Sequence, residues 1–379
     1  MRRAPCAVRR APAGGQRCHA GRRRGIHNHN PYHALFRGES MSSQMMSGRA
    51  MSARRLLCVF AGALSLLSAA HVRAETFRIA TPYPATNFHT QNLQAFAGAV
   101  GAATGGELKL EVYPNGTLLK PAGIFDGVKA GQAEGGEVML STLTQHDPMF
   151  GVDSIPFLVE NYNDARVLWD ASRSKIEAQM KVNGLRLLYA VPWPPQNLYS
   201  ASPIARLSDL RGHRLRTYNA AQKEIADLYG AQAIQVEAAD LGAAITSGRI
   251  DTMLTSPSTG LETRAGQRLT YYYKVNAWIP KNAVFVNEAR FAKLSPAAQR
   301  AVLKLAAEYE KRGWEASRQT YEHDEAELAK TGVRVVAPDV TLLGDMRRLG
   351  ERLTREWLHS AGTEEVDILL TYEHKRKLN

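Results

Sequence analysis

From Glu75 onward the sequence alternates between two periodicities, and this alternation limits the fold more than any single motif does. Stretches with apolar residues at every second position, the repeat of a strand, give way to stretches on the 3.6-residue repeat of a helix. TFRIA (76–80) reads as a first strand, and HTQNLQAFAGAVGAATGG (89–106) as a helix closed by Gly105-Gly106. ELKLEVYP (107–114) reads as a strand, PAGIFDGVKAGQ (121–132) as a short helix opened by proline, and GEVMLST (136–142) as a third strand. NYNDARVLWDASRSKIEAQMKV (161–182) supplies a long helix. LRLLYAVP (185–192), HRLRTY (213–218), IDTMLTS (250–256), YYYKVNAW (271–278) and AVFVN (283–287) follow as strands, with helices near 219–229 and 237–247. The pattern predicts an α/β fold with largely parallel sheets covered by helices. Residues 75–379 exceed a usual single domain, so two sheets fit better than one.

One helix is out of scale. It opens with Ser295 as cap and Pro296 at the first helical position, and it closes before Gly332. Val302, Leu305, Ala306, Tyr309, Ala316 and Thr320 keep one face roughly apolar. At 1.5 Å per residue it would be about 50 Å long, enough to run behind two domains as a strut. A break near Gly313 is the alternative.

The formal net charge of +12 hints at nucleic acid or an anionic membrane, but its distribution removes the hint. Residues 1–74 hold 13 of the 48 Lys and Arg and one acid, Glu39, leaving 35 basic and 35 acidic residues beyond. Within that segment, MSARRLLCVFAGALSLLSAAHVRAE carries Arg54-Arg55, an apolar run from Leu56 to Ala70, and Ala74 at its end. This is the pattern of a secretory signal peptide over 51–74, with cleavage expected after Ala74. The apolar run is shorter than the ~20 residues of a spanning helix. Residues 1–50 read as an over-long start, upstream of initiation at Met41, Met45, Met46 or Met51. Cys6, Cys18 and Cys58 all precede the cut, so the mature chain is expected to be periplasmic and to lack any thiol, disulfide or cysteine-bound metal.

Enzyme signatures fail. The sequence has no G-x-S-x-G elbow, no H-E-x-x-H, no P-loop and no G-x-G-x-x-G after a strand, and no histidine pair has metal-ligand spacing on one helix face. What remains is a set of polar and aromatic residues at strand ends. Tyr83 to His89, including Asn87, follows the first strand, Ser141-Thr142 the third, and Trp193 to Asn197, including Gln196, the fourth. Arg216-Thr217-Tyr218-Asn219 ends the fifth, and Ser256 a later one. Ligands of open α/β sheets sit beyond the carboxyl ends of the strands, where these loops would converge. Arg214 and Arg216 stand two apart on one strand and share a face, with Leu215 turned to the other.

The chain from 75 to 379 resembles the substrate-binding subunit of a tripartite ATP-independent periplasmic (TRAP) transporter, of the dicarboxylate-receptor type. The likeness is carried by TGGELKLEVYPNGTL (104–118), VDSIPFLVENYNDA (152–165), SDLRGHRLRTYN (208–219), SGRIDTM (247–253), FVNEARFAKLSPAAQRAV (285–302) and EWLHSAGTEE (356–365), in that order and spacing. It implies a periplasmic-binding-protein type II-like fold with two α/β domains, hinge strands between them and a long helix spanning both. The expected division is 75–193 plus 282–320 for domain I and 194–281 plus 321–379 for domain II. The resemblance implies a receptor rather than an enzyme, which closes over an organic acid and delivers it to small and large membrane subunits, with no nucleic-acid partner and no cofactor. It also implies that Arg216 pairs with the ligand carboxylate, which leaves Arg214 as a neighbour that packs or pairs elsewhere; a planar guanidinium can hold a carboxylate through two parallel hydrogen bonds.

Two positions depart from the family pattern. Gln196 stands where many relatives carry a second ligand-facing arginine, and Ser256-Pro257 where many carry Asn-Pro. Loss of the second guanidinium favours a monocarboxylate over a dicarboxylate, with Trp193 as a wall and Gln196 as a neutral donor. Trp278 and Asn282, near the second crossing, complete the candidate ligand-binding set. The alternatives are the same receptor fold serving a sensor or another transporter, and a secreted α/β enzyme.

Overall fold

The computed structural model describes residues 74–378. The readings of 1–50 and of the 51–74 leader, save its last residue, therefore fall outside the described residues. The strands form two sheets. The first contains β1 (Glu75–Ala80), β2 (Leu108–Tyr113), β3 (Gly135–Met139), β4 (Leu185–Pro192) and β10 (Lys281–Asn287), in the spatial order β2-β1-β3-β10-β4. The second contains β5 (Asn197–Ser200), β6 (Arg214–Thr217), β7 (Gln232–Gln235), β8 (Thr252–Thr255), β9 (Tyr271–Tyr273) and β11 (Arg334–Val336), in the order β11-β9-β5-β8-β6-β7. Helices α1 (Phe88–Ala103), α2 (Ile124–Lys129) and α3 (Tyr162–Val182) pack on the first sheet, and α4 (Ala220–Tyr229) and α5 (Leu241–Thr246) on the second. The remaining helices are α6 (Pro257–Glu262), α7 (Glu288–Phe291), α8 (Pro296–Lys330), α9 (Val340–Ser360) and α10 (Thr363–Arg376).

The sheets are mixed rather than largely parallel. β1, β2 and β3 run parallel, as do β6, β7 and β8. However, β10 is antiparallel to β3 and β4, and β5 is antiparallel to β8 and β9. Both exceptions have one cause. β5 and β10 are the strands that the chain enters from the other sheet, through residues 193–196 and 274–280, so no helical crossover forces them parallel. The two crossings are bonded to each other: Trp193 N donates to Pro280 O at 2.8 Å, Gln196 N to Trp278 O at 2.9 Å, and Ala277 N to Gln196 O at 2.8 Å. This corrects the strand expected over 271–278, which ends at Tyr273; Asn276 turns through φ 45° into the crossing. GEVMLST likewise ends as a strand at Met139, and Leu140–Leu143 form a tight turn.

Helix α8 runs unbroken through Gly313. A Cβ at Gly313 would collide with Val191 Cγ2 and meet Asn92 Nδ2 at 3.0 Å, so the glycine marks where the helix presses on the sheet. That contact also closes an edge. β4 is the last strand of its sheet, and its spare backbone groups at Ala190 are taken by α8: the N–H by Glu310 Oε2 at 3.2 Å and the carbonyl by Trp314 Nε1 at 3.0 Å. Val302 and Ala306 of α8 lie in the core of the first sheet, whereas Leu328 lies in that of the second. One helix thus contributes to both cores.

The C-terminus departs from the expected division. α9 buries Leu342, Met346 and Leu349 against the second sheet, but α10 packs on α3 and buries Leu369 and Tyr372 with Trp169 beneath the first. Residues 363–376 therefore go with the first sheet, not with the second, where the sequence reading put them. The first sheet also holds a nearly inaccessible carboxyl, Glu137, at 2% exposure. It accepts from Thr81 Oγ1 at 2.7 Å and Asn282 Nδ2 at 3.1 Å, and burial pushes it up to about 7.

Two outcomes follow. Gly313→Ala should destabilise by about 1–3 kcal/mol, the usual cost of overpacking, and lower the melting temperature by several degrees in calorimetry. A rise in melting temperature, as helix propensity alone would give, would show that α8 does not press on β4 there. Because Glu137 holds its proton more tightly folded than unfolded, its contribution to stability declines as pH rises from about 4.5 to about 7. Urea titrations should show the gain of Glu137→Gln over the parent increasing across that window; a gain independent of pH would contradict the assignment.

Candidate functional site

Strand β6 positions the central cation. Gly212 turns at φ 78°, Leu215 is fully buried in the second sheet's core, and Arg216 follows. Arg216 is 5% exposed, and its one protein hydrogen bond runs from Nε to Val236 O at 3.1 Å. Its guanidinium carbon lies 4.7 Å from the centre of the Tyr218 ring. Among the described residues no carboxylate pairs with it, and burial holds its pKa below the ordinary value against the pull of Tyr218 and Glu237. With Nε occupied, the two terminal nitrogens keep four N–H donors without a protein acceptor. Arg214 differs: it is largely exposed and bonds Asp251 Oδ2 through Nε at 3.0 Å.

Arg216 opens onto a cavity of about 540 Å³ between the two sheets. The cavity is built from the carboxyl ends of strands, with Tyr83 after β1, Ser141 after β3, Trp193 and Gln196 in the first crossing, and Tyr218 after β6. Glu237, Glu262 and Asp126 add three carboxyl groups to the lining, and Lys223, paired with Asp227 at 2.6 Å, adds a cation near the opening. Two hydrogen bonds join the lobes around it. Asn219 Nδ2 donates to Ser141 Oγ at 3.1 Å, and Asn87 Nδ2 to Glu262 Oε1 at 2.9 Å. No group of three His, Cys, Asp or Glu among the described residues is placed to hold a metal ion.

Of the nine sequence candidates, Trp193, Gln196, Arg216 and Tyr218 meet in the cavity lining, and five do not. Asn87 caps α1 and reaches across to Glu262. His89 is buried against Phe88 and Trp193, its ring 4.4 Å from the indole, and burial holds its pKa well below the ordinary value. Ser256 caps α6 by accepting from Thr259 N at 3.2 Å. Trp278 is fully buried in the second sheet's core, and Asn282 lies behind the wall, bonded to Tyr83 and Trp193. Gln196 lines the cavity with its amide engaged: Nε2 donates to Pro194 O at 2.7 Å and Oε1 accepts from Tyr218 at 3.3 Å. Sequence reasoning missed Tyr83, Asn219, Glu237 and Glu262 as site residues. The first two stand in strand-end loops that it had singled out. The two acids follow β7, an outer strand (Gln232–Gln235) with no apolar alternation, and close α6, so no local signal marked them.

The chain matches the family model of the bacterial extracellular solute-binding proteins, family 7, over residues 79–359. Its fold superposes on DctP6 of Bordetella pertussis, an extracytoplasmic solute receptor binding pyroglutamic acid, with a TM-score of 0.78 and 35% identity, covering 79% of this chain and 100% of that one. A TRAP solute-binding protein specific for pyroglutamate, from an unidentified microbe of a marine metagenome, gives a TM-score of 0.76 and 32% identity over 79% and 99% of the two chains. The 2,3-diketo-L-gulonate-binding periplasmic protein of Escherichia coli is 24% identical over 66% of this chain and 77% of its own length. The mixed two-sheet fold is that of type II-like periplasmic binding proteins, and the chain belongs to family 7 of the bacterial extracellular solute-binding proteins, the solute receptors of TRAP transporters.

Proposed function

We propose that this receptor binds a small monocarboxylate through Arg216, closes its lobes around it and presents the closed form to the membrane subunits of a TRAP transporter. The carrying observation is a guanidinium at 5% exposure with no carboxylate of the described residues against it. A desolvated cation left unpaired is costly, and an anionic ligand supplies the missing charge. Because Nε is spent on Val236 O, the carboxylate meets the end of the fork, through the two terminal nitrogens. A second carboxylate on the ligand would face Glu237, Glu262 and Asp126 without a free guanidinium, so a dicarboxylate fits poorly. DctP6 and the marine TRAP protein, both above 30% identical to this chain, are receptors for pyroglutamate, a compact monocarboxylate, and that acid is the first candidate here.

Lobe closure follows from where the contacts lie. Tyr83, Ser141 and Trp193 belong to the first sheet's loops and Arg216 and Tyr218 to the second's, so a ligand touching both sets favours the closed state. The bonded crossings at 193–196 and 274–280 are the hinge, and Asn219–Ser141 and Asn87–Glu262 are contacts across the opening. The mature protein is placed in the periplasm after removal of the leader at Ala74, and it binds its acid without turning it over.

Calorimetric titration of the mature protein with pyroglutamate tests the reading. Arg216→Ala should weaken binding by about 10²–10⁴-fold, since removing one partner of a buried pair costs about 3–5 kcal/mol. Affinity within a few-fold of the parent would overturn the assigned role. Gln196→Ala should cost less, about tenfold or below, because its amide already serves Pro194 and Tyr218. The opposite ranking would move the polar anchor from Arg216 to Gln196.

A further inference from the structure

The cavity wall also fixes which atoms can accept a hydrogen bond. Behind it, Asn282 meets Trp193 Nε1 at 2.9 Å, Tyr83 Oη at 3.1 Å and Glu137 Oε1 at 3.1 Å. An indole nitrogen can only donate, so the Asn282 atom facing Trp193 is the carbonyl oxygen. That oxygen carries no hydrogen. Its approach to Tyr83 therefore uses the phenol's proton, and the amide N–H₂ is left to donate to Glu137. Tyr83 consequently has no proton for the cavity, only lone pairs. Burial, reinforced by Glu137, keeps the phenol pKa far above the ordinary value, so the group stays neutral.

The same reasoning holds on the second lobe. Gln196 meets Pro194 O at 2.7 Å, and a carbonyl can only accept, so Nε2 is there and Oε1 faces Tyr218 Oη at 3.3 Å. Tyr218 spends its proton on that oxygen. Arg216, which can only donate, shares the lining with both tyrosines. Charge and hydrogen-bond polarity are thus divided, with a donor for the carboxylate and acceptors beside it.

We propose that the site selects carboxylates bearing an N–H or O–H donor next to the carboxylate carbon, and that the Tyr83 hydroxyl is the acceptor that reads this donor. The inference rests on the reading of Arg216 as the carboxylate anchor and adds a second specificity residue to it. A lactam acid or a 2-hydroxy acid meets the requirement. An isostere with a ring oxygen in place of N–H sets lone pair against lone pair and leaves the buried acceptor unmatched.

The test is a cycle of two ligands and three proteins by titration calorimetry. The ligands are pyroglutamate and its lactone isostere, 5-oxotetrahydrofuran-2-carboxylate; the proteins are the mature parent, Tyr83→Phe and Asn282→Ala. The parent should prefer the lactam at least about tenfold. Tyr83→Phe should reduce the preference to within about threefold. Asn282→Ala, which returns the phenol's proton to the cavity, should also reduce it or invert it toward the lactone, an effect that a merely structural role for Asn282 does not give. Equal binding of both acids by the parent, or a preference undiminished in the folded variants, overturns the role of Tyr83 while the carboxylate reading stands. Failure of the parent to bind either acid overturns both.

Discussion

The structure depends on keeping one positive charge out of water without pairing it inside the protein. Arg216 is nearly inaccessible, bonds through Nε to a backbone carbonyl and to nothing else among the described residues, and leans on the face of Tyr218. Two other buried charges are compensated internally: Lys281 is held by Asp153 at 3.2 Å, and Glu310 takes Arg173 at 3.1 Å. Those pairs are structural, whereas Arg216 is left poised toward a cavity. The cation–π contact offsets part of its desolvation, and the bound anion of the proposed function would supply the rest.

The proposed closure around that charge needs two sheets that keep separate cores, and the structure has them. The antiparallel strands β5 and β10 supply the connection, because they are the strands through which the chain changes sheet, and backbone bonds join the two crossings into one unit. Helix α8 adds a stiff link behind. It gives Val302 and Ala306 to one core and Leu328 to the other, and its side chains seal the edge of β4. The first crossing carries the buried Trp193 and Gln196 into the cavity lining, so the segment proposed as the hinge also borders the site.

Much of this was legible in the sequence because it rests on periodicity. The α/β alternation, the capped start of α8 and the apolar face at Val302 and Ala306 are local patterns. The position of Arg216 at the end of a short strand, facing the cavity, was legible too, because a guanidinium two residues from another on such a strand is conspicuous. The mixed strand directions were not, since β5 has four residues preceded by prolines and its direction is set by where the chain came from, not by its own composition. The placement of α10 was lost for a similar reason: Leu369 and Tyr372 give an apolar face, but nothing local says which sheet it covers. Among the site residues, Asn87, His89 and Asn282 are polar groups near strand ends, as a ligand contact would be. Only three-dimensional packing shows that they serve a cap, an aromatic cluster and the hydrogen bonds behind the wall.

The most direct measurement is a crystal structure of the mature protein grown with its acid. The ligand carboxylate should lie on the two terminal nitrogens of Arg216, within about 3 Å of each, while Nε stays on Val236 O. A carboxylate seated elsewhere, with the Arg216 fork turned onto Glu237 or another protein carboxyl, would contradict the idea that this cation is reserved for the ligand.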